Sequence, residues 1–145
     1  MTYWSERKIT KLVVDSNVII SAYTCDGETR NVWRNALGLC ELLISPEILA
    51  EVEKNLRKAE FHLPPQEIRA ILLDILRRCN VVRVTSAFQG HLADEKDRHL
   101  ASLASEANAE IILTGDRALL SAEKLGNIQI MDPRSFVEMS TGQRK

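Results

Sequence analysis

Three aspartates stand at positions where an acid has chemical consequences. Asp15 ends the apolar run Leu12-Val13-Val14, and Asp116 follows Ile111-Ile112-Leu113 after the short exit Thr114-Gly115. Apolar runs this short, bounded by turn residues, read as fully buried parallel strands. Ligands in open α/β sheets bind just beyond the carboxyl ends of such strands. Asp97 lies three, four and seven positions before Leu100, Ala101 and Ala104, on the apolar face of its own helix. A carboxylate on a buried stripe is costly unless it is paired, hydrogen-bonded or bound to a cation.

Each acid also has a plain structural explanation. Asp15 or Asp116 alone is most simply a helix N-cap, and Asp97 can answer a capping Asp94 as the acidic third residue of a box. Glu51 is ambiguous: it falls to one side of the Ile48, Leu49, Val52, Leu56 stripe, as Glu53 does to the other, and spacing does not choose between Glu47, Glu51 and Glu53. Taken jointly, Asp15, Asp97 and Asp116 meet if the first and fourth strands are neighbours. Converging carboxylates raise one another's pKa, and a divalent cation resolves the repulsion. Hard Mg2+ or Mn2+ suits oxygen ligands, and such a site can hydrolyse a phosphate ester. Asn17 and Thr114 are placed to hydrogen-bond a carboxylate, and Arg98 and Arg117 each follow an acid and could hold substrate phosphates.

These residues need a scaffold. Strands are predicted over Leu12–Val14, Leu39–Ile44, Val81–Val84, Ile111–Leu113 and Ile128–Met131, with helical spacing between them. Val18 to Tyr23 reads as helix, Cys25-Asp26-Gly27 breaks it, and Val32, Trp33, Ala36 and Leu37 resume the spacing up to Gly38. Ser45-Pro46 pairs an N-cap hydroxyl with a proline at the first helical position. The next helices carry Ile68, Ile71, Leu72, Ile75 and Leu76, then an alanine-rich face from about Glu95; Ser86 to His91 is a loop, and Pro133 opens the last helix. Strands alternating with helices imply an α/β fold: a mostly parallel five-stranded sheet with helices on both faces.

Bulk properties narrow the class. A chain of 145 residues reads as one domain over 1–145, large enough to fold without disulfides or a structural metal. Nineteen Lys and Arg against twenty Asp and Glu give a net charge of -1, so any nucleic acid must be held locally rather than by a basic overall field. Cys25, Cys40 and Cys79 form no CxxC and read as reduced thiols of a cytosolic core. His62, His91 and His99 lack metal-ligand spacing and read as surface or loop residues, and no glycine-rich phosphate loop is present. The segment Met1 to Thr10 is charged, with no apolar h-region, and no run approaches the roughly 20 apolar residues that span a bilayer. The expectation is a soluble cytoplasmic protein without membrane contact.

The motifs, in order, resemble those of PIN-domain ribonucleases, particularly the bacterial and archaeal members classed as toxins of toxin–antitoxin pairs. Val13-Val14-Asp15-Ser16-Asn17-Val18-Ile19 is similar to the family's opening segment, Ser45-Pro46-Glu47-Ile48-Leu49-Ala50-Glu51-Val52 to the second, Asp94-Glu95-Lys96-Asp97 to the third, Leu113-Thr114-Gly115-Asp116 to the fourth, and Pro133-Arg134-Ser135-Phe136 to the ending. The resemblance implies a three-layer fold with strand order 3-2-1-4-5, and a metal-dependent endoribonuclease using Asp15, Glu51, Asp97 and Asp116, with Asn17 and Thr114 in support. On that reading Asp15, Asp97 and Asp116 ligate Mg2+ or Mn2+ directly, and Glu51 binds through water or orients the nucleophile. A homodimer and a silencing antitoxin partner follow from the resemblance alone. One departure is Glu95-Lys96 where relatives often carry a second Asp, and an inward Lys96 would weaken metal binding.

Competing classes fit less well. A receiver-like signalling domain needs an Asp after the third strand and a Lys after the last, where this chain has Thr85-Ser86 and Asp132. A haloacid-dehalogenase-like phosphatase wants Asp where Asn17 stands. A PIN-like binding module that has lost catalysis is the remaining alternative, and the intact acids argue against it.

Overall fold

In the computed structural model, which describes residues 9–92 and 94–142, the apolar runs form the middle of one sheet. Residues 1–8 of the charged leader lie outside the described residues. Strand β1 (Lys11–Val14) lies between β2 (Glu41–Ile44) and β4 (Ile111–Leu113), parallel to both, with Val13 opposite Leu43 and Ile112. Strand β3 (Cys79–Val81) flanks β2, and β6 (Ile128–Met131) flanks β4, both parallel. The central strands are apolar on both sides because helices cover both faces. Leu12, Val13, Val14, Ile44, Ile112 and Leu113 are all fully buried.

Right-handed crossovers put α1 (Ser16–Thr24), α2 (Glu28–Asn31), α3 (Pro46–Leu56) and α4 (Pro65–Arg78) over one face, and α5 (Arg98–Glu106) and α6 (Arg117–Leu120) over the other. Helix α7 (Pro133–Gly142) then packs back on α2. Helix α3 buries Ile48, Val52 and Leu56 at successive i, i+4 positions. Its entry is fixed as the sequence predicts: the Ser45 hydroxyl accepts the Ile48 amide at 3.2 Å, with Pro46 in the first turn. Helix α5 brings Leu100, Ala101, Leu103 and Ala104 against β1 and β4, and the alanines allow the close approach. Helix α1 is pinned to α4 through Tyr23, whose hydroxyl donates to Asp74 at 2.5 Å and accepts from Trp33 Nε1 at 2.9 Å.

The observed order, β3-β2-β1-β4-β6-β5, contains the expected 3-2-1-4-5 arrangement plus one extra edge strand. That strand, β5 (Lys124–Leu125), pairs antiparallel with β6 through a two-residue connection led by Gly126, at φ 60°. Glycine leading a two-residue hairpin turn suits the strand twist. Two residues carry no periodicity, which is why β5 is invisible to a pattern reading. The third strand also ends earlier than Val84: Val82 still donates to the Ile44 carbonyl at 2.8 Å, but β2 has then turned into the Ser45 cap and offers no further partner. Leu39, expected in β2, stands 83% exposed in a 3-10 turn (Leu37–Leu39) that follows a π-helical turn over Val32–Ala36, and β2 begins only at Glu41. Of the cysteines, Cys79 is buried, Cys40 is half-buried and Cys25 is exposed, so Cys25 departs from the core reading; none is bridged.

No helix among the described residues is long and apolar enough to cross a membrane. Removing the Ser45 hydroxyl leaves the Ile48 amide without its cap, so Ser45→Ala should cost about 1 kcal/mol in urea unfolding. An unchanged midpoint would show that the hydroxyl does not secure the start of α3.

Candidate functional site

The register between β1 and β4 decides what meets at their carboxyl ends. Val14 faces Leu113 across the ladder, and the Asp15 amide extends it by donating to the Leu113 carbonyl at 2.9 Å. Asp15 and Thr114 are therefore neighbours, each one residue past its strand. Thr114 Oγ1 donates to Asp15 Oδ2 at 2.8 Å, and the same oxygen accepts from Asn17 Nδ2 at 3.3 Å. Asn17 also reaches the fourth strand, its Oδ1 accepting from the Gly115 amide at 3.2 Å. Asp15 is buried but makes no side-chain cap bond to α1, so the cap explanation fails for it.

Ser16, passed over in the sequence, ties in the second acid. Its hydroxyl donates to Glu51 Oε1 at 2.6 Å and lies 3.4 Å from Asp15 Oδ1. One hydroxyl proton serves one acceptor well, and the shorter contact takes it. This selects Glu51 among the three open glutamates. Glu53 pairs instead with Arg57 at 2.7 Å, and Glu47 stays exposed one turn earlier on the Glu51 side of α3. The only hint in the sequence was Ser16 itself, directly after Asp15 where a strand gives way to a helix.

Asp97 closes a short 3-10 turn (Glu95–Asp97) that leads into α5. Asp94 caps that turn by accepting the Lys96 amide at 3.0 Å. The Asp97 carboxylate is buried, makes no cap bond and has no hydrogen-bond donor among the described residues. Burial first, then the charges of Asp116, Asp15 and Asp94, push its pKa up to about 6, and His99 pulls it the other way. Burial likewise raises Asp15, with Glu51 adding to the rise, while the Thr114 hydrogen bond and His99 oppose it. Asp116 does cap α6, accepting the Ala118 amide at 3.0 Å, and its own amide donates to Thr114 Oγ1 at 3.0 Å. The cap engages one oxygen, Oδ1, and the Asp116 charge acts on Asp97.

The remaining positions are placed as follows. Arg98 donates to Glu95 at 2.6 and 2.7 Å and to the carbonyls of Phe88 and Gly90, so its guanidinium is engaged by the loop before α5. Arg117 and Lys96 are exposed. His99 is not a surface residue: it is half-buried, and its Nδ1 is fully enclosed without a hydrogen-bond partner. A hollow of about 740 Å³ lies at the opposite edge of the sheet, lined by Thr10, Cys40 and Glu110, which precede β1, β2 and β4. It does not touch the acids.

Among the described residues no group of three or more His, Cys, Asp or Glu is drawn tightly enough to form a ready-made ion cage. The donor set nevertheless fits a hard divalent cation in kind: the donors are all oxygen, and Asp97 is pushed up to about 6 by burial first and then by the charges of Asp116 and Asp15.

Because Asp97 titrates at about 6 in the folded state against 3.8 as reference, the native protein holds this proton more tightly than the unfolded chain does. Native stability is then favoured below 3.8 and declines as pH rises through about 6. Asp97→Asn should be more stable than wild type above that window and gain nothing below it. Urea unfolding at both ends checks this, and an equal difference at the two ends would refute it.

No curated protein matches the chain. A solved structure of VapBC2 from Rickettsia felis, bound to a DNA fragment from their promoter, contains a chain that matches with a TM-score of 0.62 and 14% identity. The match covers 85% of this chain and 98% of that one, and it shows a shared fold. The PIN-domain family model matches residues 11–118, from the first residue of β1 to the second of α6, and so takes in all four acids. The chain belongs to the PIN-domain family.

Proposed function

We propose that the chain is a divalent-metal-dependent endoribonuclease, acting in the cytoplasm as the toxin of a toxin–antitoxin pair. The observation that carries the reading is the gathering of Asp15, Asp97 and Asp116 at one sheet edge, with Glu51 joined to Asp15 through Ser16. Family membership supports hydrolysis of a nucleic acid, and the fold shared with a VapBC2 chain supports a partner protein. Leu73 and Leu76 on the outside of α4, with Val81 on edge strand β3, offer exposed apolar surface for a homodimer or an antitoxin.

Bound Mg2+ or Mn2+ would supply the positive charge that activates water and stabilises the departing oxygen. Asp15, Asp97 and Asp116 are the residues to hold it, each from a different element. Thr114 and Asn17 fix the Asp15 carboxylate by donating to one oxygen, which leaves the other turned toward Ser16. Glu51, held by Ser16, is the fourth acid and orients the attacking water by accepting its proton. Asp97 has no donor of its own among the described residues, so a cation would offset its unfavourable burial.

Asp116→Asn tests the proposal cleanly, because asparagine caps a helix as well as aspartate does while removing the charge. Metal-dependent cutting of a mixed single-stranded and hairpin RNA panel should fall to the EDTA background in this variant with thermal stability kept. An active, equally stable Asp116→Asn protein would overturn the assignment. Thr114→Val removes only the hydroxyl that orients Asp15, and should raise the metal concentration for half-maximal cleavage by about 10- to 100-fold. An unchanged metal titration would remove Thr114 from the site.

A further inference from the structure

A second concavity shares His99 with the acid crevice. It has a volume of about 240 Å³ and lies between the first turn of α3, the residues that follow β3 and the start of α5. This is smaller than the roughly 300 Å³ at which drug-sized pockets begin, room for a single ring system. Its outer wall is held in place from two directions. Glu106 accepts the amides of Thr85 and Ser86 at 2.8 to 3.0 Å together with both hydroxyls, and Arg98 grips the Phe88 and Gly90 carbonyls.

Most polar side chains lining the hollow are therefore already engaged. The Ser102 hydroxyl donates to the Arg98 carbonyl at 2.7 Å and accepts the Phe88 amide at 2.8 Å. Among the described residues two lining groups have no partner: the Glu47 carboxylate, and the enclosed Nδ1 of His99. Between them Val84 and Ala87 supply apolar wall. A phosphate is excluded from such a site by the carboxylate. A flat heteroaromatic ring with N–H donors on its edge fits, since unstacked bases are recognised by aromatic or imidazole faces and by their Watson–Crick edges.

The chemistry of Glu47 narrows the base. An ionised carboxylate only accepts, at two adjacent oxygens. Guanine presents two adjacent donors, N1–H and the 2-amino group. Adenine and cytosine set a ring-nitrogen acceptor beside the amino donor, and uracil flanks its single N–H with two carbonyls. We propose that the hollow bounded by Glu47, Val84, Ala87 and His99 is a base-reading subsite that seats a guanine beside the phosphate entering the acid crevice. This rests on the nuclease reading for its position in catalysis, but not for binding. Glu47 and Glu51, one turn apart on the same side of α3, then divide the work: one reads a base while the other serves the scissile bond.

The test separates the two ideas. With the full-length protein in EDTA, guanosine, inosine, adenosine and uridine are titrated while the amide NMR signals of Thr85, Ser86 and Ala87 are followed. Inosine differs from guanosine only by the missing 2-amino group. Guanosine should shift these signals and bind roughly tenfold tighter than inosine, as a two-bond contact to a base edge demands. Glu47→Gln, an exposed change whose fold is checked by the same spectrum, should abolish that preference. In metal, cut sites mapped on random single-stranded RNA should lie beside guanine for the wild type and lose that bias in Glu47→Gln. Equal binding of guanosine and inosine, or a Glu47→Gln protein with the wild-type preference, overturns the subsite. Guanosine binding without any metal-dependent cleavage overturns the nuclease reading and leaves the subsite standing. Cleavage without base preference does the reverse.

Discussion

The hydrogen bond from Thr114 to Asp15 joins residues 99 positions apart, and it exists only because β1 and β4 lie side by side in one register. A slip of one residue would turn every side chain of the strand to the other face and take the threonine away from the acid. The bond also makes Asp15 tolerable. Burial raises this carboxyl's pKa, and the Thr114 hydroxyl is the strongest influence against that rise. A hydrogen bond to a charged group contributes about 1.5–3 kcal/mol, enough to keep an acid at the end of a buried strand. Core packing and site geometry therefore share one constraint.

The acids do not bear the same load. Asp116 has a structural duty as the cap of α6, and Asp15 has donors from the exit of β4 and the first turn of α1. Glu51 leans on a serine hydroxyl. Asp97 has no donor among the described residues and meets the charges of three other aspartates, so the opposition between stability and function is concentrated there. Residues that weaken the native state in this way are retained where a ligand offsets the cost.

The positions of Asp15 and Asp116 were legible because a short apolar run followed by a turn residue marks a strand exit, and two such exits aim at one edge. The Ser45-Pro46 helix start was legible for the same local reason. Glu51 was not, since helix phase gives a direction without saying what stands there, and what stands there is Ser16 from another element. The end of β3 depended on where β2 turns into its cap, not on the valines of β3 itself. His99 looked like a surface histidine because its own helix shows nothing of the segment after β3, which faces it across a hollow and is held to α5 by Glu106 across 20 and 21 residues. Patterning reports what a residue does within its own element, and each of these features is made by a partner far along the chain.

Among the described residues the sheet ends in a three-residue strand on one side and a two-residue strand on the other. Neither offers the long row of free amides and carbonyls on which a foreign strand can be templated. Growth of the sheet from one molecule into the next is thereby discouraged at both margins. An associate that docks here is left to recognise side chains, such as those of Leu73, Leu76 and Val81, so the choice of associates can be changed by surface substitution without touching the backbone ladder that sets the acids.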